Sequence, residues 1–260
     1  MAGTARAVPD LRVIASLLVP RALEREYAAF AAGLAAACYQ VRGVVPNPDI
    51  SVIWGGAPPS RMPGGLVMHA ENGYWGAGNV ALAVGGHNGA GRTPQGSSDR
   101  LASLGIAIQP WRTSGEHVLV CPSRGIGQNP QPAGWTARTV EILRRHTDRP
   151  VRIRPHPGSW KLASEHPDVG LARDLAGAWA CVIWSSAAGL RALALGVPTI
   201  CAAPNWIAKG AAGSRIEEIE NPPMPDRLPA FERMAAAQWS LDEIGSGEAI
   251  RALLPEAATA

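Results

Sequence analysis

VRIRPHPGSW (residues 151–160) and CVIWSSAAGLRALALGVPTI (residues 181–200) decide how this chain folds. The first opens as a short apolar-alternating strand, Val151 to Arg154, and is stopped by Arg154-Pro155-His156-Pro157. The second is preceded by Ala180 and opens as a buried strand over residues 180–184. It turns at Ser185-Ser186-Ala187-Ala188-Gly189 and continues as a helix over residues 188–195. Gly196 stops that helix, and Val197-Pro198-Thr199-Ile200-Cys201 starts another strand. A strand, a small-residue turn and a helix start make an anion site, because unpaired N–H groups and the helix dipole converge on the turn. Arg154 and His156, at the end of a neighbouring strand, are expected at the same crevice. The chain has no GxxxxGK[ST] run, which excludes a P-loop triphosphatase.

Working outward, residues 117–121 read as a strand and residues 133–146 as a helix with an apolar stripe at Trp135, Val140 and Leu143. A short helix over residues 171–176 completes an alternation of strand and helix through the second half. That alternation predicts a parallel sheet with helices on both faces. The first half is compatible but less regular, with strands over residues 11–19, 50–54, 65–69 and 78–84 and a strong helix over residues 21–39. Residues 85–98 are rich in Gly, Asn, Thr and Ser and read as loop. Residues 110–116 (PWRTSGE) read as the linker between halves. The tail over residues 228–254 reads as two helices, the second opened by a capping box at Ser240-Leu241-Asp242-Glu243.

The bulk numbers are those of a globular protein: 260 residues, 47% hydrophobic and 17% charged, enough for one large domain or two small ones. The net charge of +3 permits a polyanionic partner without requiring one. Nearly all the basic residues are arginine; the lysines are Lys161 and Lys209. Cys121, Cys181 and Cys201 lie in apolar strand-like segments and read as small buried hydrophobes in a reduced compartment. Residues 11–19 are too few to span a bilayer and lack a cleavage pattern, so a soluble, cytoplasmic protein is expected.

The stretch from Val151 to Pro198 resembles the donor half of GT-B glycosyltransferases, in particular the branch whose His-Pro motif and Ser-rich turn hold the donor phosphates. The ending around residues 237–244 (AQWSLDEI) resembles small phage-type glycosyltransferases. Those in turn resemble enzymes that attach sugars to hydroxymethylated pyrimidines in phage DNA. The resemblance implies an α/β fold of two Rossmann-like domains with parallel sheets, whose C-terminal helices cross back onto the first domain. The expected boundaries are residues 1–113 for the acceptor side, 114–227 for the donor side and 228–260 for the returning helices. Many such donor domains carry a Glu late in the helix after the serine turn. This chain departs from that pattern, with Arg191 and Leu193 in the helix and no acid.

Carried over residue by residue, the resemblance puts donor phosphate on Arg154, His156, Ser185 and Ser186. The loop after the strand at residues 117–121 adds Arg124, Gly125 and Gln128. Each has a plainer reading: an exposed His in a proline turn, serines that only cap a helix, an ordinary connecting loop. Sugar transfer needs a base for the acceptor hydroxyl. Glu71 is the first candidate, followed by His69 and Asp99; His69 and Glu71 share a face if extended. Acceptor contacts are expected at His87 and Asn88. If the acceptor is DNA, they are also expected at Arg61, Arg92 and Arg100, through phosphate neutralisation. The implied co-substrate is a nucleotide-sugar, with a UDP-sugar preferred. No permanently bound cofactor and no metal are expected, since no DxD-like motif occurs. The leading reading is a hexosyltransferase acting on a 5-hydroxymethylated pyrimidine such as 5-hydroxymethylcytosine in bacteriophage DNA. The alternatives are a cell-surface saccharide acceptor, a nucleotide-sugar 2-epimerase, and a non-catalytic nucleotide or DNA binder.

Overall fold

Residues Ala178–Ile183 (AWACVI) are buried along their whole length, and so are His117–Cys121 (HVLVC). Strands apolar on both faces belong in the middle of a parallel sheet covered on both sides. The computed structural model describes residues 14–20, 22–55, 65–125, 129–157 and 167–254. The chain divides into two units. One comprises Met1–His87, Gly91–Pro94 and Ala237–Ala260; the other comprises Asn88–Ala90 and Gln95–Ala236.

The second unit carries a four-stranded, all-parallel sheet of β6 (His117–Cys121), β7 (Val151–Ile153), β8 (Ala178–Ile183) and β9 (Thr199–Cys201), in the order β7-β6-β8-β9. The order reverses between β6 and β8, which makes their carboxyl ends the switch point of the sheet. Helix α3 (Trp135–His146) packs Trp135 and Leu143 against Val118, Val120, Ala180 and Val182 on one face. Its buried stripe is Trp135, Thr139 and Leu143 rather than one through Val140. On the other face, α5 (Ala188–Ala194) lies so close that a Cβ on Gly189 would come within 2.5 Å of the Ile183 side chain. Gly196 ends α5 with φ at +75°, and the Val197 N–H turns back to the Ala192 carbonyl at 2.9 Å. The unit also holds α2 (Ser98–Ser103), α4 (Pro167–Ala176) and α6 (Leu228–Ala236).

The first unit carries a six-stranded sheet of β1 (Ile14–Leu18), β2 (Gln40–Arg42), β3 (Ile50–Trp54), β4 (Leu66–Asn72), β5 (Val80–Val84) and β10 (Gln238–Trp239), in the order β10-β5-β4-β3-β1-β2. This sheet is mixed, against the expectation of parallel sheets throughout. Strand β5 is antiparallel to both β4 and β10. The cause is local: only residues 73–79 join β4 to β5, and a parallel neighbour needs a crossover of a dozen residues or more. Helices α1 (Glu24–Ala36), α7 (Leu241–Gly245) and α8 (Glu248–Leu253) cover one face through Phe30, Leu34, Ile244 and Ile250, which meet Leu17, Val52 and Met68. The capping box forms: Glu243 N–H donates to Ser240 Oγ at 3.2 Å and Ser240 N–H to Glu243 Oε2 at 2.7 Å.

Two boundaries lie elsewhere than the sequence reading put them. The chain passes between units around residues 87–95, not at 113/114, and α6 belongs to the second unit, so the returning segment starts at Ala237 rather than 228. Short elements account for the rest of the differences. Strand β2 has three residues and β10 two, each held by a partner strand. Helix α2 starts where the Gly/Ser-rich stretch ends, with Ser97 Oγ accepting the Arg100 N–H as its cap. Cys121, Cys181 and Cys201 are buried, and burial pushes the Cys201 thiol up to about 11. Among the described residues no helix is long and apolar enough to cross a membrane.

The closest fit in the first unit is between α1 and α7, where a Cβ on Gly33 would sit 1.8 Å from the Ile244 carbonyl oxygen. Gly33→Ala should therefore force the helices apart and cost about 3 kcal/mol, near the top of the overpacking range. Gly245→Ala has its nearest neighbour 3.9 Å away and serves as the control. Urea denaturation of the two variants checks this; equal midpoints would show that the helices do not rely on that contact.

Candidate functional site

At the switch point of the second unit, three loops leave the carboxyl ends of β6, β7 and β8. The loop after β6 carries Ser123, Arg124 and Gly125; the loop after β7 carries Arg154 to Pro157; the turn after β8 is Trp184-Ser185-Ser186. The first and the third are tied together by side-chain contacts. Gln131 Oε1 accepts the Ser123 N–H at 2.7 Å, and Ser123 Oγ accepts the Ser185 N–H at 3.4 Å. The Trp184 indole donates to the Asn129 carbonyl at 2.9 Å and meets Trp135 edge-on, 6.0 Å between ring centroids.

The expected phosphate ligands divide into two kinds. Arg124 is exposed, and its charge is close enough to His156 to lower the histidine pKa, behind the larger effect of burial. Arg154 turns to Asp174 on α4 and forms an ion pair with it, at 13% side-chain exposure. Its charge reaches the crevice already half-neutralised, which makes it a brace for the His-Pro loop. Asp174 carried no local signal in the sequence, because only the fold brings α4 to the end of β7. Ser186 Oγ accepts the Ala188 N–H at 3.2 Å, a local turn bond ahead of α5, whose N-cap is Ala187. Helix α5 is only seven residues long, so any attraction of the crevice for anions would rest on Arg124 and His156 rather than on a long helix dipole. Gln128 lies outside the described residues.

In the first unit His69 and Glu71 lie near the carboxyl end of β4, on the face opposite α1, α7 and α8. Ala83 and Ala81 stand beside them on β5. His87 packs over the same face: its Nδ1 is 3.3 Å from Glu71 Oε1, and its ring centroid is 6.1 Å from that of His69. His69 is 1% exposed and hydrogen-bonds the Gly55 backbone. Its pKa is lowered by burial first and by His87 second, and is partly restored by the Gly55 bond and Glu71. A carboxylate beside one imidazole, with a second imidazole held neutral by burial nearby, is a chemically competent group for taking a proton from a hydroxyl. The sequence reading named all three residues but did not foresee that Glu71 and His87, sixteen positions apart, are partners.

The remaining candidates have structural work. Asp99 is exposed on α2 and belongs to the other unit from Glu71 and His69. Asn88 donates to the Ser185 carbonyl and accepts from the Ile207 N–H, both at 3.3 Å. Arg92 Nη2 donates to the Leu253 carbonyl at 2.5 Å, and Arg100 Nε to the Ala235 carbonyl at 3.1 Å; each closes the end of a helix. Arg61 lies outside the described residues. Among the described residues no three or more His, Cys, Asp or Glu side chains are grouped to hold a metal ion.

No protein-family model matches the chain, and no curated protein matches it in sequence. Two solved structures from Thermosulfurimonas dismutans share its fold. One is KpsC, beta Kdo 2,7 transferase, at TM-score 0.59 and 13% identity, with 92% of this chain and 99% of that chain covered. The other is KpsC, beta Kdo 2,4 transferase, at TM-score 0.55 and 11% identity, covering 87% and 91%. The chain is thus similar to glycosyltransferase structures over nearly its whole length.

His156 should report on the anion site directly. Its pKa lies below the ordinary 6.5, so the free protein holds it neutral at pH 7. An anion beside it favours the charged form. Binding then takes up a proton, and nucleoside-diphosphate affinity should rise as the pH falls from about 8 toward about 6. Removing the neighbouring cation with Arg124→Ala should move the ring titration of His156, followed by NMR, upward. A titration indifferent to both Arg124→Ala and added nucleotide would take His156 out of the site.

Proposed function

We propose that this protein is a glycosyltransferase that moves a sugar from a nucleotide-sugar to a saccharide hydroxyl. One observation carries the reading. Arg124, His156 and the Ser185-Ser186 turn meet at the carboxyl ends of β6, β7 and β8, in a fold shared with Kdo transferases. The second unit holds the donor phosphates. As the bond from the anomeric carbon to the phosphate oxygen breaks, negative charge grows on that oxygen, and Arg124, protonated His156 and the turn hydroxyls and amides stabilise it. Glu71, with His87 and His69, takes the acceptor proton as the new bond from hydroxyl oxygen to anomeric carbon forms.

A saccharide acceptor is preferred to a hydroxymethylated pyrimidine in DNA for a physical reason. Arg92 and Arg100, two of the cations a duplex would need, are engaged by helix-end carbonyls, and the phosphate contacts that dominate duplex affinity are reduced accordingly. The names of the two neighbours point the same way, to Kdo as a sugar to try alongside UDP-hexoses.

The deciding experiment offers the protein a panel of UDP-sugars and activated Kdo, with saccharides or hydroxymethylated duplex DNA as acceptors, and reads products by mass spectrometry. Transfer to saccharide alone is expected. Modified nucleosides would restore the DNA reading, and no transfer to either acceptor would sink the assignment. Once a substrate pair is known, Glu71→Gln should lower turnover about 10²–10⁴-fold with donor affinity intact. Full activity in Glu71→Gln, with His69→Ala inactive, would move the base to His69.

A further inference from the structure

We infer that Asn88 is a positioning residue for the anion-binding turn, aiming the Ser186 amide by gripping the Ser185 carbonyl. This rests on the reading of that turn as the donor-phosphate site.

Asn88 has φ at +49°, in the left-handed region that a side chain other than glycine enters at a cost. Its amide group supplies a reason to stay there. Nδ2 donates to Ser185 O and Oδ1 accepts from Ile207 N–H, so one side chain joins segments 97 and 119 positions away. The approach is tight on the next residue as well: a Cβ on Gly89 would lie 2.6 Å from the Trp206 carbonyl. Trp206 is 1% exposed and its ring lies beneath the start of α5, 2.9 Å from where a Gly189 Cβ would be. Asn88 and Gly89 therefore lie against the Trp206–Ile207 backbone, and the Trp206 ring lies beneath the start of α5.

The consequence follows from peptide geometry. The Ser185 carbonyl and the Ser186 N–H belong to one planar trans peptide and point in opposite directions. Holding the carbonyl toward Asn88 directs the Ser186 N–H away from it. Among the described residues that N–H donates to no acceptor. On the preceding peptide, the Ser185 N–H is held by Ser123 Oγ. Two consecutive peptides are thus oriented by side chains from distant segments, which leaves one amide and two hydroxyls for a ligand. Preorganised donors of this kind are effective because no reorientation is needed when the anion arrives.

Two variants test it. Asn88→Gly keeps the backbone conformation and removes both bonds; Asn88→Asp keeps an acceptor for Ile207 but presents oxygen to the Ser185 carbonyl. UDP and CMP are the probes, with calorimetry, amide exchange over residues 184–189 and thermal midpoints as readouts. Each variant should bind the nucleotide that wild type binds about 3- to 10-fold more weakly, the worth of one hydrogen bond. Exchange in the turn should speed up while that of β4 and α1 stays unchanged. Affinity for Asn88→Gly within about twofold of wild type overturns the inference, as does lost affinity with unaltered exchange in the turn. Failure of wild type to bind either nucleotide would instead bring down the anion reading of the turn, and the inference with it.

Discussion

Arginine guanidinium groups close the helices of this protein. The last carbonyls of a helix have no partner within it and carry its negative dipole end. Here α1 ends on Arg251, α4 on Arg112, α5 on Arg227, α6 on Arg100 and α8 on Arg92, each reaching from another part of the chain. Arg227 shows how much one such group can tie together. It is 8% exposed, donates to the Leu193 and Gln109 carbonyls and stacks on Trp111 at 3.9 Å. Burial lowers its pKa, an effect only partly offset by Asp226, so the charge is kept at a desolvation cost that its hydrogen bonds offset. The composition of the chain acquires a meaning from this pattern. An excess of arginine over lysine suits a planar fork that satisfies several carbonyls at once, a task for which lysine is poorly shaped.

The same economy governs the turn after β8. Few of its groups act alone: Arg154 is braced by Asp174, Ser123 by Gln131, Ser185 by Ser123 and Asn88, and Trp184 by Asn129. The braces come from α4 and from connecting loops, so the arrangement of the turn depends on packing well beyond it. The groups left to face the turn are few and alike in chemistry: Arg124, two hydroxyls and an amide. That set suits an anion with several acceptor oxygens, because each remaining group can donate.

In the first unit helices cover one face of the sheet, and on the other His69 stands between Ile53 on β3 and Ala83 on β5, with Glu71 beside Ala81. Burial and, behind it, His87 lower the pKa of His69, which stands beside the Glu71–His87 pair.

The strand-turn-helix pattern around Ser185, the Gly196 stop, the strands at residues 50–54 and 117–121 and the Ser240 capping box were legible in the sequence, because each depends on neighbours within a few positions. So was the candidacy of Glu71, His69, His156 and the serines, since chemistry of this kind is confined to a few residue types. The direction of β5, the existence of β2 and β10 and the point where the chain changes unit were not legible, because short strands exist only by virtue of the partner that pairs with them. Least legible was the use of each polar side chain. Arg92, Arg100 and Asn88 look in sequence like surface groups awaiting a ligand. Only the fold brings a helix end or a turn carbonyl within their reach, and a hydrogen bond between residues a hundred positions apart leaves no mark on the local pattern.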